Sequence, residues 1–147
     1  MDGVTFHDLY EEYPDFQINV EREKSLVDEH QRIVLQFPFF WYSTPALMKE
    51  WFDVVLEYGW AYGSDGTALH GKQLKAVITT GAAYEAYCEA GHNRYTMEEL
   101  LRPLEQTAVL CGMEWQEPLV VYNALHLDAE AMAAEVEKYK NCLVGGN

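Results

Sequence analysis

The chain has few basic residues and no long apolar run, and these two shortages exclude several classes of protein. Only 10 of its 147 residues are lysine or arginine, against 24 aspartates and glutamates, so the formal net charge is -14. Affinity for nucleic acid and for anionic membranes comes largely from lysine and arginine, so neither is an expected partner. No apolar stretch reaches membrane-spanning length, and the start has no basic region followed by an apolar core. The composition predicts a cytoplasmic protein.

Cysteine is also scarce. Cys88, Cys111 and Cys142 are an odd number at wide spacing without a CxxC pair, which argues against a disulfide framework and against a structural zinc site. We therefore expect no metal, and we expect the three to be buried thiols in a reducing compartment. The length is typical of one domain, which we place at residues 1–147.

Apolar runs of strand length alternate with stretches of helical periodicity. The expected strands are a short one at residues 4–9 and others at 32–36, 74–79 and 119–122. The expected helices lie at residues 21–30, after Pro45, after a Thr96–Glu99 capping box with a kink or split at Pro103, and after Asp128. Strands that alternate with helices predict an α/β fold with a mainly parallel sheet.

The first informative site signal is the segment 37–45, where a strand meets a proline, an aromatic loop and a helix start. Pro38 ends the strand, Ser43 or Thr44 offers an N-cap, and Pro45 suits the first helical turn. Ligands of open α/β sheets bind outside the carboxyl ends of strands, and an aromatic loop suits a planar ring system. The alternative is that the aromatics simply fill the core, which is what aromatic clusters usually do.

A second loop follows the next strand. The right-handed crossover rule places residues 79–83 on the same edge of the sheet as the aromatic loop. Gly81 would let a ligand approach the backbone closely. Two converging loops predict a joint site for a planar heterocycle more specifically than either loop alone.

Two further segments carry residues typical of functional sites. Residues 83–95 carry Tyr84, Tyr87, His92 and Tyr95, which could donate hydrogen bonds or protons to a substrate or could be incidental on a surface loop. Residues 66–72, GTALHGK, match most of a phosphate-binding loop. Gln73 follows where serine or threonine is needed, and the segment leads into a strand, so we interpret the match as chance.

Several longer strings, taken together, resemble a known family. They are DLYEEYPDF (8–16), FPFFWYSTPALMKEWFDVVL (37–56), GWAYG (59–63), GTALHGK (66–72), TTG (79–81), and LLRPLEQTA through CGM (100–113). In this order they resemble the flavodoxin-like NAD(P)H:quinone oxidoreductases, and within them the ancillary subunits of glutathione-regulated potassium-efflux systems. The resemblance implies a flavodoxin-like three-layer sandwich around a parallel sheet.

The resemblance also implies a cofactor and a reaction. It implies FMN, with FAD as the alternative, and a ping-pong transfer of hydride from NAD(P)H to the flavin and then of two electrons to a quinone. The implied cofactor-binding residues are Pro38, Phe39, Phe40, Trp41, Tyr42, Thr79, Thr80, Gly81, Ala82 and Ala83. Tyr87 and His92 are the implied catalytic residues, which would hydrogen-bond the quinone or steady the reduced flavin. Members of the family are commonly homodimers.

Two other functions stay open. A non-enzymatic regulatory subunit would keep the fold without flavin turnover and would bind the cytoplasmic domain of a potassium-efflux antiporter, at the inner face of the membrane. A flavodoxin-type electron-transfer module would exchange single electrons without reducing quinones.

The sequence departs from the family in two places. Ala82 stands where the family usually has a second glycine after TTG, which adds a methyl group near the expected ring. The family also begins with a β-α unit that this chain lacks, and in a 2-1-3-4-5 sheet that strand is central and its loop holds the flavin phosphate. The expectation is therefore a ring site without its phosphate anchor and a hole between the first two strands. A longer natural protein, a second copy that completes the sheet, and loss of flavin are three explanations.

Overall fold

The computed structural model of the protein describes residues 3–144, which form a three-layer α/β structure. Its sheet has three parallel strands in the order β1-β2-β3, namely β1 (Arg32–Pro38), β2 (Gln73–Thr79) and β3 (Glu114–Val121). The helices are α1 (Leu9–Glu12), α2 (Val20–Glu29), α3 (Ala46–Val55), α4 (Met97–Leu110) and α5 (Ala129–Val144). Two 3₁₀ turns lie at Tyr84–Ala86 and Ala124–His126. The expected α/β class and parallel sheet are confirmed.

The two faces of the sheet are covered by different helices. Alternate side chains of β1 and β2 pack with α3 and α4 in one buried cluster, which includes Leu35, Phe37, Met48, Leu74, Ile78, Leu101 and Leu104. On the other face, α5 contacts the intervening residues of β1. The Tyr139 hydroxyl donates to Gln36 Oε1 at 2.8 Å, and Arg32 Nη1 donates to the carbonyl of Cys142 at 3.0 Å.

Strand β3 starts earlier than expected, at Glu114 rather than at residue 119. The register with β2 shifts so that Glu117 and Pro118 together oppose Ala76, which is a β-bulge. The bulge accommodates a proline because β3 is an edge strand, where a missing N–H costs little.

Helix α4 begins at the expected capping box. The Thr96 hydroxyl accepts from the Glu99 amide at 3.1 Å, and the Glu99 carboxylate accepts from the Thr96 amide at 2.9 Å. The helix then continues through Pro103 to Leu110, so the expectation that Pro103 splits it is wrong. Leu101 and Leu104, on either side of the proline, are both buried against the sheet and hold the helix together there.

Three other local expectations are wrong. Residues 4–9 form no strand, since no neighbouring strand pairs with them among residues 3–144, and Leu9 already belongs to α1, which the Asp8 carboxylate caps by accepting from the Tyr10 amide at 2.9 Å. Neither Ser43 nor Thr44 caps α3, because Pro45 occupies the N-cap position. The thiols are not all buried: Cys111 is buried, but Cys88 is exposed and Cys142 is half-buried.

The lysine of GTALHGK serves the fold. Lys72 is buried, and its ammonium group donates to the carbonyls of His30, at 2.6 Å, and Asp28, at 3.3 Å, just beyond and within the last turn of α2. A cation at a helix C-terminus is favourable because carbonyl groups there lack partners. This placement agrees with the interpretation of the motif as a chance match. Among residues 3–144, no helix has the length and apolarity needed to cross a membrane.

Candidate functional site

Three loops, rather than the two expected, meet at the carboxyl edge of the sheet. The Phe39 amide donates to the Thr79 carbonyl at 2.9 Å and joins the first loop to the second. The Thr80 amide donates to the carbonyl of Val121 at 3.0 Å, and the Ala124 amide donates back to Thr80 at 2.9 Å. The loop after β3 is therefore part of the same edge.

The aromatic loop contains a tight turn with an unusual backbone. Phe40 and Ser43 exchange two backbone hydrogen bonds, of 3.1 and 2.9 Å, across two residues. Trp41 and Tyr42 between them have φ angles of 48° and 62°, and a type I′ turn requires positive φ at both positions. Large side chains seldom adopt this conformation, and such strain is typical of functional sites. Trp41 is 93% exposed, so core packing does not explain it.

The same two loops present amide groups without partners. Within residues 3–144, the backbone N–H groups of Trp41, Tyr42, Gly81, Ala82 and Ala83 have no hydrogen-bond acceptor. A Cβ added at Gly81 would meet nothing within 4 Å, so the space beside this loop is open. These donors are free to bind the acceptor atoms of a ligand that approaches the edge.

Aromatic rings form the floor of the site. Phe39 lies 6.4 Å from both Tyr42 and Tyr87, measured between ring centroids, and Tyr87 lies 5.6 Å from Tyr122. Tyr84 covers the outer side of Tyr122 at 5.3 Å. Tyr87 is buried in this row, so the ring expected to face a substrate is also part of the core.

Two phenols of the floor, those of Tyr87 and Tyr122, have raised pKa values. Burial raises the pKa of Tyr87, and a hydrogen bond with the Thr80 side chain partly offsets this effect. Burial also raises the pKa of Tyr122, with smaller contributions from Tyr84 and Tyr87. At neutral pH both phenols can therefore donate a hydrogen bond but cannot supply a negative charge.

The loop that carries His92 closes one side of the site. The Tyr42 hydroxyl donates to Asn93 Oδ1 at 3.2 Å, which places the exposed His92, the preceding residue, at the rim. The structure thus brings the predicted residues to one edge at different depths. Thr80 and Tyr87 are buried, and Phe39 and Ala82 are half-buried. The exposed ones are Pro38, Phe40, Trp41, Tyr42, Thr79, Gly81, Ala83 and His92.

Sequence reasoning missed two contributors to the site. Tyr122 stands at the carboxyl end of the last expected strand, and applying the strand-end rule to that strand as well would have found it. Asn93 gave no comparable signal, since its contact with Tyr42 joins residues 51 positions apart.

The departure at Ala82 has a different consequence from the one expected. Its methyl group packs against the buried cluster beneath the loop, while its amide is one of the free donors. The methyl group therefore does not stand between the backbone and the open space.

The residues present fit a planar heterocycle with polar edges. Within residues 3–144, the two loops combine N–H donors that lack acceptors, an exposed tryptophan and open space at Gly81, and the protonated phenols of Tyr87 and Tyr122 belong to the same edge. The Thr44 hydroxyl, two residues after Tyr42, is buried without a hydrogen-bond partner among residues 3–144. In the same part of the chain, no group of three or more histidine, cysteine or carboxylate side chains has metal-binding geometry.

Fold and site together define a flavodoxin-type α/β domain, and comparison with known proteins agrees. A family model described as the flavodoxin-like fold matches residues 1–143, so the chain belongs to this family. The glutathione-regulated potassium-efflux system ancillary protein KefG of Pectobacterium carotovorum subsp. carotovorum (strain PC1) is 51% identical over 137 residues, which cover 93% of this chain and 75% of that protein.

Three crystal structures are similar. One, described as a thermophilic tryptophan halogenase from Streptomycin violaceusniger, gives a TM-score of 0.97 at 44% identity and covers 100% of this chain and 86% of that chain. An NADPH-quinone reductase from P. pentosaceus gives a TM-score of 0.86 at 35% identity. The match covers 90% of this chain and 78% of that chain. General stress protein 14 from Treponema denticola, in complex with FMN, gives a TM-score of 0.85 at 35% identity. The match covers 95% of this chain and 78% of that chain. The descriptions differ in activity, and the fold is what they share.

Proposed function

We propose that this protein is a flavin-dependent NAD(P)H:quinone oxidoreductase that binds FMN at the carboxyl edge of its sheet. The observation that carries the proposal is the set of amides in residues 41–42 and 81–83 that have no acceptor in the described part of the chain, beside the exposed Trp41. Flavins present carbonyl and ring-nitrogen acceptors along one edge of a planar ring. Similarity to an NADPH-quinone reductase and to an FMN complex supports this choice.

Each residue has a role in this proposal. Bound FMN would accept hydride from NAD(P)H and deliver two electrons to a quinone. The free amides of the two loops hold the ring edge, and Trp41 and Tyr42 cover the ring. Tyr87 donates a hydrogen bond from the floor, and His92 meets the quinone at the rim. FAD is the alternative cofactor, and a homodimer in the cytoplasm is the proposed assembly and location.

A titration with two flavins tests the site. The purified protein is mixed with FMN or with riboflavin, and the visible flavin bands and protein fluorescence are followed; NADPH and then a quinone are added. We expect both flavins to bind, bands that bleach with NADPH, and bands that return with quinone. Every group assigned here faces the ring, so the two dissociation constants should agree within about threefold, or less than 1 kcal/mol. Binding of neither flavin would contradict the proposal.

Similarity to KefG supports an alternative function, in which this protein is a regulatory subunit of a potassium-efflux antiporter. In that case the protein would bind the antiporter's cytoplasmic domain and change ion flux without flavin turnover. Flux through the antiporter in vesicles, measured with wild type and Trp41→Ala, separates the two functions. Regulation alone predicts equal flux with both, whereas a role that requires the flavin predicts loss with the variant.

A further inference from the structure

The protein and its proposed hydride donor carry charge of the same sign. The formal net charge of the chain is -14, and every nicotinamide dinucleotide contains a negatively charged pyrophosphate. Like charges repel, so binding of such a donor requires a cation at the site that offsets the repulsion. A lysine or arginine that is not engaged within the protein is the natural source of this cation.

Nearly all lysine and arginine side chains have an acceptor within residues 3–144. Some pair with carboxylates, namely Arg22, Lys24, Lys49, Lys138 and Lys140. Others donate to backbone carbonyl groups, namely Arg32, Lys72 and Lys75. The two that make no hydrogen bond or ion pair in this part of the chain are Arg94 and Arg102.

These two arginines have different surroundings. Arg102 lies in α4, three positions after Glu99. Hydrogen bonds with Thr96 lower the pKa of Glu99, and the charge of Arg102 adds a smaller effect, so Arg102 has an acidic neighbour on its own helix. No carboxylate among residues 3–144 lies within ion-pair distance of Arg94.

Arg94 stands at the rim of the candidate site. It follows His92 and Asn93, and Asn93 Oδ1 accepts from the Tyr42 hydroxyl at 3.2 Å. That hydrogen bond joins residues 92–94 to the turn that carries Trp41. Because Arg94 is exposed, its charge is accessible from solvent at this rim.

The loop fixes the backbone of Arg94. The Asn93 amide donates to the Ala86 carbonyl at 2.9 Å, and the Arg94 amide donates to the Gly91 carbonyl at 3.2 Å. A Cβ at Gly91 would lie 2.5 Å from the Ala86 oxygen, so this close fold of the loop requires glycine. Arg94 has a φ of 64°, which large side chains seldom adopt and which is typical of functional sites. A fixed backbone lowers the entropy cost of binding a ligand through this residue.

We propose that Arg94 binds a phosphate group of NAD(P)H and thereby selects dinucleotides over phosphate-free hydride donors. The inference rests on the proposed function, because it assigns a subsite for the hydride donor at the same edge of the sheet. A guanidinium group binds phosphate oxygens through two parallel hydrogen bonds, which an ammonium group cannot form. The phosphate is either the pyrophosphate, which NADH and NADPH share, or the additional phosphate on the adenosine ribose of NADPH.

The first test measures binding without turnover. NADP⁺ and NAD⁺ are titrated by calorimetry into wild type and Arg94→Gln, with and without added FMN. We expect the dissociation constant of the variant to rise about tenfold or more. An equal rise for both dinucleotides assigns the contact to the pyrophosphate, and a rise for NADP⁺ alone assigns it to the ribose phosphate. Equal binding by the two proteins, or no binding by wild type, would overturn the proposal.

Two further variants control for charge and folding. Arg102→Gln removes the same charge from an exposed arginine on α4, and it should leave the dissociation constants within about twofold of wild type. A loss equal to that of Arg94→Gln would reveal a general effect of net charge and would overturn the proposal. Arg94→Lys keeps the charge but not the two hydrogen bonds, so its loss should be intermediate. Thermal unfolding reports whether each variant is folded, and Arg94→Lys decides the question if Arg94→Gln is not.

Steady-state kinetics separate this inference from the proposed function. NADPH is compared with N-methyl-1,4-dihydronicotinamide, which has the same reacting ring but no phosphate, with a quinone as acceptor. Arg94→Gln should raise the KM for NADPH about tenfold and leave kcat, and the KM for the phosphate-free donor, unchanged. An equal rise for both donors, or weaker binding of FMN but not of riboflavin, would place Arg94 against the flavin and overturn the inference. No turnover by wild type, with binding of NADP⁺ that depends on Arg94, would contradict the proposed function alone and support the phosphate site.

Discussion

Two polar regions of this protein are built in opposite ways. In the interior, the carboxylate of Glu23 is only 2% exposed and accepts from three side chains. Its donors are the Tyr13 hydroxyl at 2.5 Å, the Trp51 indole at 2.8 Å and His7 at 2.9 Å. At the carboxyl edge of the sheet, five amides have no acceptor within residues 3–144, and Trp41 is almost fully exposed on a left-handed backbone.

This difference indicates that the Glu23 cluster stabilises the fold and that the edge of the sheet binds a ligand. A buried charge whose donors all come from the protein has no capacity left for a ligand, so the Glu23 cluster serves the fold by joining the segment 4–8, α2 and α3. Free donors beside an exposed aromatic stabilise nothing in the protein itself and are available for binding. Substitutions in the interior should therefore change stability, and substitutions at the edge should change ligand affinity.

The largest expected effect is on stability, from Glu23→Ala. This change leaves three donors without an acceptor, so we expect the free energy of unfolding to fall by about 3 kcal/mol or more. Denaturant unfolding measures it. The matched control is Glu21→Ala on the same helix, whose carboxylate is exposed and which should change stability by less than about 0.5 kcal/mol. Equal losses from both variants would show that the Glu23 cluster has no special role.

The next effect belongs to the other region. Trp41→Asn removes the aromatic ring and puts a residue that favours the left-handed conformation into the turn. We expect FMN affinity to fall about tenfold, while stability stays the same or rises by up to about 1 kcal/mol. Fluorescence titration and thermal unfolding give the two quantities. Trp41→Phe, which keeps a ring, should retain most of the affinity, and unchanged binding by Trp41→Asn would remove the residue from the site.

The sequence predicted the elements whose signals are local. The capping box at Thr96, the apolar run of β2 and the proline at the end of β1 each act within a few residues, and all three lie where expected. Residues 4–9 were mispredicted as a strand because a strand needs a neighbour, and its neighbour cannot be read from its own pattern.

The site was predictable in its location but not in its detail. The strand-end rule placed residues 38–42 and 79–83 on one edge, and the structure has them there. The turn was missed because type I′ turns usually carry Asn-Gly, and Trp41–Tyr42 gives no such signal. Glu23 was missed because a glutamate in a charged helix looks exposed, and its donors are 10 to 28 positions away.

A smaller effect on stability should appear at high pH. Burial, together with the hydrogen bond to Glu23, raises the pKa of Tyr13 from 10.0 to about 12. Between these values the unfolded phenol loses its proton and the folded one keeps it, so the contribution to stability is complete below pH 10 and is lost as pH rises toward 12.

Comparison with Tyr13→Phe isolates this contribution, because the other tyrosines are common to both proteins. From pH 9 to pH 11 the wild type should lose on the order of 1 kcal/mol more stability than the variant. Urea unfolding over this range measures the two slopes. Parallel slopes would show that Tyr13 ionises in the folded protein as easily as in the unfolded chain.

The smallest effect is expected at Ala82, where the edge loop packs on the buried apolar cluster of the sheet. Its amide belongs to the free donors and its methyl group packs on the core, so Ala82→Gly keeps the binding group and removes the packing group. We expect stability to fall by about 0.5–1 kcal/mol, from lost burial and greater freedom of the unfolded chain, while FMN affinity changes by less than about twofold. Thermal unfolding and flavin titration of one preparation measure both. A large gain in affinity would instead mean that the methyl group obstructs the ring, and that the backbone of this loop, and not only its amides, lies against the ligand.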